Sequence, residues 1–318
     1  MKIKLRPLIF LFLLLFLPSC YRVSDKLEPQ VNYAVQDRYL KQLPPAFPPL
    51  TSHEKSEAWG KEYLLGQRFA EDLDFYRAIT TFKRSEYLLP ENENERLLEV
   101  QYQMVLCYYL GKRFEDVIAA YNHSKLYTAN TSFPAYHDLL VILYESYLET
   151  DDEPKAEHTL RTLKRYYPDT AKKLELATVL IEGNLCAIEK ESLNDPSKTY
   201  LSQILTEYEA KKKSVNKAQT LNMVLPGAGY LYVGQKQSAL TAFLLNGLFI
   251  AATVHFFNKG HIAAGIITAS FEMGWYFGGI YGAGESAKLY NERLYEDLAY
   301  PALNRNGLFP VLMLKYGF

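Results

Sequence analysis

The sequence predicts an all-α protein in which an α-solenoid of repeated helix pairs precedes a hydrophobic helical hairpin. In the first half of the chain, small residues recur at a 39-residue interval, as at Ala78, Val117 and Ala156. In the second half, residues 238–257 contain no Asp, Glu, Lys or Arg, and residues 262–283 contain only Glu272. A fixed period of this kind is typical of helical repeats, and apolar stretches of this length are typical of membrane-spanning helices.

The composition fits one or two packed domains. The chain has 318 residues, 48% hydrophobic residues and a formal net charge of −1. Such a chain can bury a sizeable core, and it lacks the excess of positive charge that is typical of nucleic-acid binding. We therefore expect no nucleic-acid partner.

Residues 1–20 have the three parts of an export signal. The basic residues Lys2, Lys4 and Arg6 precede an unbroken apolar run, residues 8–17, which leads into Leu17-Pro18-Ser19-Cys20. As a helix this run would be about 15 Å long, or half the hydrocarbon thickness of a bilayer, which fits a signal peptide better than a span.

A signal that ends in Leu-x-Ser-Cys resembles those of bacterial lipoproteins. The resemblance implies that the signal peptide of residues 1–19 is removed and that Cys20 is acylated with palmitate-type chains. It also implies an envelope protein, anchored by lipid, whose repeat domain lies in the periplasm. The alternatives are an ordinary secretory signal and an uncleaved anchor.

Residues 20–52 are interpreted as a proline-rich tether. Prolines at positions 29, 44, 45, 48 and 49 remove backbone donors and push the preceding residues out of helical geometry. The tether either holds the next domain some distance from a lipid surface or packs along the first helix.

Helical repeats are predicted within residues 53–213. The first unit places small and aromatic residues on both of its helices and ends in proline, at Leu65-Gly66, Phe69, Ala78, Phe82, Ser85 and Pro90. The third unit keeps these offsets, at Leu143-Tyr144, Tyr147, Ala156, Leu160, Leu163 and Pro168, and the second is looser. A small residue lets two helices approach and a facing aromatic ring fills the remaining space. The pattern resembles the tetratricopeptide repeat, with extra residues between units.

Repeats of this family bind peptides along one face, and the resemblance implies which residues line it. They come from the first helix of each unit: Tyr63, Gln67, Tyr102, Tyr109, Asp138, Glu145 and Glu149. An aromatic and acidic groove would favour an extended or basic protein segment. The alternative is that these side chains are solvated or only contribute to packing.

Residues 214–290 are predicted to form a membrane-associated hairpin. Gly274, Gly278 and Gly282 recur every four residues, a spacing that lets a partner helix pack closely. The preceding run, Leu225-Pro226-Gly227-Ala228-Gly229-Tyr230, followed by two apolar helices, resembles a family of small bacterial two-helix membrane domains of unassigned function. Proline and glycine here are expected to break the helix at the membrane interface.

Polar residues inside the apolar stretches need an explanation, since a charge at the bilayer centre costs about 2.5–3.5 kcal/mol. Glu272 either hydrogen-bonds across the hairpin, with Asn246 as a candidate partner, or serves a proton or ion pathway, or lies in a helix that does not span. Basic residues at 211–213 precede the hairpin on the side assigned to the periplasm, which disagrees with the usual charge rule. The apolar content of the hairpin favours the inner membrane. The C-terminal residues 291–318 are predicted to contain a short strand or an interfacial segment.

The sequence contains few residue patterns that indicate a catalytic or metal-binding site. Its six histidines are scattered, and it contains no His-Glu-x-x-His, Cys-x-x-Cys or Gly-x-Ser-x-Gly motif. We therefore predict no catalytic residues, no metal, no cofactor and no enzymatic activity, with an enzyme whose site forms only in three dimensions as an alternative.

These features predict an envelope lipoprotein scaffold that binds a protein or peptide partner through its repeats and anchors it at membrane lipid. The main alternative is a component of a membrane transport or envelope-assembly complex that uses the hairpin. Homo-oligomerisation through the hairpin is compatible with both.

Overall fold

The computed structural model describes residues 23–33, 39 and 42–318, and in these residues the regular structure is helical. The described residues contain no strand, only an isolated β-bridge between Pro45 and Gly317. The prediction of an all-α fold is confirmed. The predicted signal peptide and Cys20 lie outside the described residues.

The described chain forms two compact units. Unit 1 comprises residues 23–31 and 181–300, and unit 2 comprises residues 32–180 and 301–318. The domain boundaries predicted at residues 52, 213 and 290 do not coincide with this division. Residues 23–31 belong to the unit formed mainly by residues 181–300, and residues 301–318 belong to the unit formed mainly by residues 32–180.

Unit 2 begins with the short helix α1 and is built from helices that pack on their neighbours in sequence. Its helices are α1 (Ser52–Ser56), α2 (Ala58–Glu71), α3 (Phe75–Leu88), α4 (Asn94–Leu110), α5 (Phe114–Asn122), α6 (Tyr136–Glu149), α7 (Glu153–Tyr166) and α8 (Pro168–Ile181). Helices α4 and α6 are the most buried: every residue of 99–110 and of 137–147 is buried. Side chains on every face of these two stretches are therefore covered by neighbouring residues.

The contact between α2 and α3 shows how a small residue positions two helices. A Cβ atom at Gly66 would lie 2.7 Å from ring carbons of Phe82, so only glycine allows this approach. The ring of Phe82 is fully buried and fills the space that Gly66 leaves. This is the packing that the spacing of the two residues predicts.

One turn conformation follows each of the helices α2, α4 and α6 in unit 2. Leu73, Lys112 and Asp151 have φ angles of 59°, 54° and 56°, and they follow α2, α4 and α6 at the 39-residue interval of the sequence pattern. After each, an N–H bonds the carbonyl five residues back: Asp74 to Phe69 at 2.8 Å, Arg113 to Tyr108 at 2.9 Å and Asp152 to Tyr147 at 2.9 Å. The left-handed residue closes the helix and reverses the chain. The backbone therefore repeats with the same period as the side chains.

Unit 1 contains a second set of helices. They are α9 (Leu185–Asn194), α10 (Thr199–Lys211), α11 (Val215–Val224), α12 (Ala228–Val233), α13 (Lys236–Asn258) and α14 (Ile262–Arg305), the last five residues of which group with unit 2. The buried side chains of Val23, Val215, Ala218, Val233 and Ala287 form a core cluster. Residue 23, from the predicted tether, is thus part of this core.

The Pro-Gly-x-Gly run separates α11 from α12. Gly227 has a φ of 93°, and its N–H donates a 2.8 Å hydrogen bond to Asn222 Oδ1. A Cβ atom at Gly229 would lie 2.3 Å from the carbonyl oxygen of Ala218 on α11 and 2.8 Å from the Cβ atom of Ala283 on α14. The motif therefore breaks the helix, as predicted, and also lets three helices meet closely.

Helix α13 is the one helix within the described residues that is long and apolar enough to cross a membrane. Its mean hydropathy is 1.8, and only 6% of its most apolar window is buried. It contacts α14 through a 3.0 Å hydrogen bond between the hydroxyls of Thr253 and Thr268 and through the stacked rings of Phe249 and Phe271. The second predicted span, residues 262–283, lies within the less apolar α14.

Candidate functional site

The candidate site is a groove in unit 2 that holds two segments of the chain itself. We call residues 308–318 the tail and residues 42–50 the inner tether. Both lie against residues from α4 and α6, and they meet each other where the N–H of Gly317 donates to the carbonyl of Pro44 at 3.0 Å. The surface that holds them is called the tail groove below.

Asp138 on α6 binds the backbone of the tail. Its fully buried carboxylate accepts hydrogen bonds from the N–H groups of Lys315 and Tyr316, both at 2.9 Å, through Oδ2. Its other oxygen, Oδ1, lies 2.6 Å from Nδ1 of His137, and Nε2 of that ring lies 2.9 Å from the hydroxyl of Thr170. A carboxylate held in this way binds two successive N–H groups whatever their side chains.

Carbonyl groups of the tail are bound from the opposite direction. The hydroxyl of Tyr39 lies 2.9 Å from the carbonyl oxygen of Leu312 and 3.2 Å from that of Leu314, and it can donate to either. Tyr39, Asp138 and Pro44 therefore bind the carbonyl of Leu314 and the N–H groups of residues 315–317.

Side chains at the end of the tail differ in burial. Leu314 is buried, whereas Lys315 is exposed with its ammonium group 5.4 Å from the centre of the Tyr167 ring. The ring of Phe318 lies 6.3 Å from that of Phe75. No strand forms in residues 308–318, and the N–H groups of residues 315–317 bond to the Asp138 side chain and to one carbonyl.

Glu145 on α6 accepts two tyrosine hydroxyls at the next position along the groove. Tyr33 donates to it at 3.1 Å, and Tyr109 donates to its second oxygen. Burial raises the pKa of Glu145 to about 7, although both tyrosine hydrogen bonds act to lower it. The ring of Tyr33 in turn contacts that of Phe309 at 5.2 Å and the ammonium of Lys112 at 4.7 Å. Tyr33, from the chain before the inner tether, thus contacts both Glu145 and Phe309 at the start of the tail.

Arg96 on α4 fixes the inner tether. Its guanidinium binds Glu54 at 2.7 Å, Glu99 at 2.6 Å and the carbonyl oxygen of Pro48 at 2.9 Å. This contact holds the pKa of Glu54 at about 2, whereas burial raises that of Glu99. The ring of Phe47 lies 5.8 Å from Tyr102 and 5.5 Å from Phe133.

The described parts of the tether are therefore packed, which corrects the interpretation of residues 20–52 as a free spacer. Residues 28 and 30 donate their N–H groups to Glu292 and Glu296 of unit 1, and the inner tether occupies the tail groove of unit 2. The inner tether packs mainly on α4, and not along the first helix as the alternative had it.

The predicted groove residues are distributed as follows. Asp138, Glu145 and Tyr109 line the tail groove, and Tyr102 packs on the inner tether. Tyr63 is buried one layer away, where its hydroxyl donates to Glu99 and accepts from Gln67 at 3.2 Å. Glu149 is exposed at the end of α6. Sequence reasoning missed Tyr33 and Tyr39, which lie in segments without a recognisable period, and His137, which precedes the predicted Asp138 on α6.

Two of the three glycines predicted to pack the hairpin have no close neighbour in the described residues. Nothing lies within 4 Å of a Cβ atom built at Gly274 or Gly278, because both line an open cleft of about 790 Å³ between α13 and α14. Gly282 does make a close contact, but with the hydroxyl of Tyr230 on α12.

Polar residues of the hairpin do not pair as predicted. The side-chain amide of Asn246 donates to the carbonyl of Ala242 at 2.6 Å, one turn back on the same helix. Among the described residues, Oδ1 of Asn246 and Oε2 of Glu272 are buried without a hydrogen-bond partner. The hydroxyls of Thr253 and Thr268 supply the interhelical hydrogen bond instead.

In the described part of the chain, no group of three or more His, Cys, Asp or Glu residues is arranged to hold a metal ion. No family model, curated protein or solved structure matches this chain. The proposals below therefore depend on the geometry of the two units and on the sequence patterns.

Proposed function

We propose that this protein is an envelope lipoprotein scaffold that binds an extended protein or peptide segment in the tail groove and anchors it at a membrane. The observation that carries the proposal is the pair of 2.9 Å hydrogen bonds from successive backbone N–H groups to the buried carboxylate of Asp138. This arrangement recognises extended backbone, and the groove already holds two extended segments of the same chain.

The recurring turn supports the interpretation of unit 2 as a tetratricopeptide-like solenoid. Leu73, Lys112 and Asp151 share one left-handed conformation and one 39-residue interval. Solenoids stack equivalent helix pairs, and side chains at equivalent positions then form a continuous binding surface. At the 39-residue interval Tyr63 corresponds to Tyr102 and Glu99 corresponds to Asp138, all four of which are buried.

Two features support membrane anchoring. The apolar side chains of α13 are largely exposed, which a helix in water would avoid. The sequence at Cys20 resembles a lipoprotein signal, so acyl chains and a membrane-embedded hairpin would act together, with the repeats in the periplasm. The apolar content of the hairpin continues to favour the inner membrane.

Anchoring is tested by expressing the full chain and its Cys20→Ser variant in a bacterium with two membranes. Incorporation of labelled palmitate is expected in the parent chain and not in the variant. Labelling of both chains, or of neither, would refute the lipoprotein assignment. Separation of the two membranes by density then shows which one retains the protein.

Partner binding is tested by photo-crosslinking in living cells. A benzoylphenylalanine residue replaces Glu149, which is exposed beside the tail groove, or Tyr87, which is 89% exposed on α3, as the matched control. A discrete adduct is expected from position 149 alone, and Asp138→Ala should diminish it. Adducts that are equal at both positions or insensitive to Asp138 would contradict the scaffold proposal.

The cleft between α13 and α14 favours a second candidate, a component of a membrane transport or assembly complex. Buried oxygens of Asn246 and Glu272 without partners in the described chain offer acceptors to another polypeptide or to a second copy. Glu272→Gln should then disrupt co-purification of a membrane complex, whereas a scaffold that uses the tail groove would keep its adduct at position 149.

A further inference from the structure

We infer that residues 314–318 are an exchangeable occupant of the tail groove, and that the groove accepts in their place a segment of another polypeptide with the same chemistry. That segment is extended and presents, in order, an apolar, a basic and an aromatic residue, a glycine and a second aromatic residue. The inference rests on the proposed scaffold function and specifies its partner class and its regulation.

The chemistry of the ligand is given by the segment that is already bound. Leu314 is buried, the ammonium of Lys315 lies over the ring of Tyr167, and Phe318 faces Phe75. Gly317 is buried where its N–H reaches the carbonyl of Pro44. A positively charged segment also suits the acidic side chains of Asp138, Glu145 and Glu149.

Residues 314–318 can leave because the helices of unit 2 do not depend on them. The segment follows the last 3₁₀ turn, Pro310–Met313, and its N–H groups at residues 315–317 all bond to Asp138 and Pro44. The contacts that position the helix pairs, such as Gly66 with Phe82, lie elsewhere. Removal of these five residues should therefore open the groove without unfolding the unit.

A groove from which residues 314–318 have been released would favour binding of another extended segment. The carboxylate of Asp138 is fully buried, and without Lys315 and Tyr316 it would lose two of its hydrogen-bond donors. An unsatisfied buried charged acceptor is costly, so a segment that supplies two N–H groups is favoured. The tethered tail acts at an effective concentration on the order of millimolar, so a free segment competes poorly until the tail is released.

The test measures binding of a fluorescent peptide with the sequence of residues 314–318 to the full chain in detergent micelles, by fluorescence anisotropy. A chain that stops at Met313 should bind the peptide at least ~10-fold more tightly than the intact chain, as expected when a tethered competitor is removed. A peptide with the same residues in scrambled order should not compete.

Two pairs of variants keep the test decisive. In the intact chain, Lys315→Pro removes one N–H to Asp138 and should increase peptide binding, whereas Lys315→Ala keeps that N–H and should not. In the shortened chain, Asp138→Ala should abolish binding, whereas Glu157→Ala, an exposed acid on α7, should leave it unchanged.

Equal binding by the intact and shortened chains would overturn the inference, as would a folded shortened chain or Lys315→Pro variant that binds no peptide. Folding is monitored by circular dichroism and by thermal melting of each variant. Because the peptide assay needs no natural partner, its failure is distinguishable from failure of the crosslinking test: an adduct at position 149 without peptide exchange would leave the scaffold function standing.

Discussion

The hydroxyl of Tyr109 donates a hydrogen bond to the buried carboxyl of Glu145, 36 residues later in the chain. Tyr63 makes the same bond to Glu99 over the same interval. The first pair faces the chain's own segments through Tyr33, and the second faces Arg96 and the inner tether. The same tyrosine–glutamate hydrogen bond therefore occurs at two places in unit 2, with different neighbouring groups.

The stability of unit 2 should fall as the pH rises from about 4.5 to about 7. The pKa of Glu145 is raised by burial from 4.5 to about 7, so the folded state holds a proton that the unfolded state has released. A shift of this size corresponds to about 3 kcal/mol, present below the unfolded pKa and lost above the folded one. Denaturant unfolding at several pH values, compared between the parent chain and Glu145→Gln, measures it.

The variant Glu145→Gln should unfold with a free energy about 3 kcal/mol higher than the parent at pH 8 and should lack this part of the pH dependence. Glu157→Gln, which changes an exposed acid on α7, serves as the control and should keep it. Identical pH profiles for the parent and Glu145→Gln would show that Glu145 titrates normally in the folded state.

Replacement of Arg96 by Gln should destabilise unit 2 by about 3 kcal/mol. The change leaves the buried carboxylate of Glu99 without its cation and frees the carbonyl of Pro48, and loss of one partner from a buried ion pair is costly. Arg113→Gln is the control, because Arg113 pairs with Asp116 at the surface and should contribute less than ~1 kcal/mol. Limited proteolysis should also cut within the inner tether of Arg96→Gln first; resistance equal to the parent's would contradict this role.

Two glycine substitutions in unit 1 should differ sharply. Gly229→Ala would place a Cβ atom 2.3 Å from the carbonyl oxygen of Ala218 and should cost about 1–3 kcal/mol, because the helices must move apart. Gly274→Ala has nothing within 4 Å of the new methyl group and should be neutral or favourable by up to ~1 kcal/mol, since alanine favours helix. Thermal melting in detergent compares them. Comparable losses would mean that Gly274 is packed in the folded protein.

The turn between α6 and α7 should tolerate glycine better than aspartate. Asp151 is exposed and has a φ of 56°, a conformation that costs non-glycine residues about 1 kcal/mol. Asp151→Gly is therefore expected to stabilise unit 2 slightly, and Asp151→Val to destabilise it, because branching at Cβ worsens the clash. Melting temperatures that change in the opposite order would argue against the left-handed turn.

Local patterns in the sequence were sufficient to predict the helices and many of their contacts. The repeat spacing indicated that small and aromatic residues such as Gly66 and Phe82 would lie between packed helices, but not which of them would meet. The filling of the tail groove could not be predicted in this way. Asp138 and Tyr316 are 178 positions apart, and neither the inner tether nor the tail has a period that identifies its partner. The resemblance to peptide-binding repeats indicated a groove but not that the chain itself occupies it.

In the hairpin a regular sequence pattern was present but did not determine the packing. The four-residue spacing of Gly274 and Gly278 is compatible both with close helix packing and with a cleft, and only the positions of neighbouring residues distinguish the two. The Pro-Gly-x-Gly run was interpreted correctly as a break, yet the role of Gly229 at the meeting point of α11, α12 and α14 depends on Ala283, far along the chain.

The burial of Val23 limits how far a lipid anchor could reach. Val23 is 4% exposed in the core of unit 1, and it lies three residues after Cys20. Three extended residues cover at most about 10 Å. With acyl chains on Cys20, Val23 would therefore lie within about 10 Å of the lipid headgroups. Unit 1 would then be held close to the bilayer, together with the exposed apolar surface of α13.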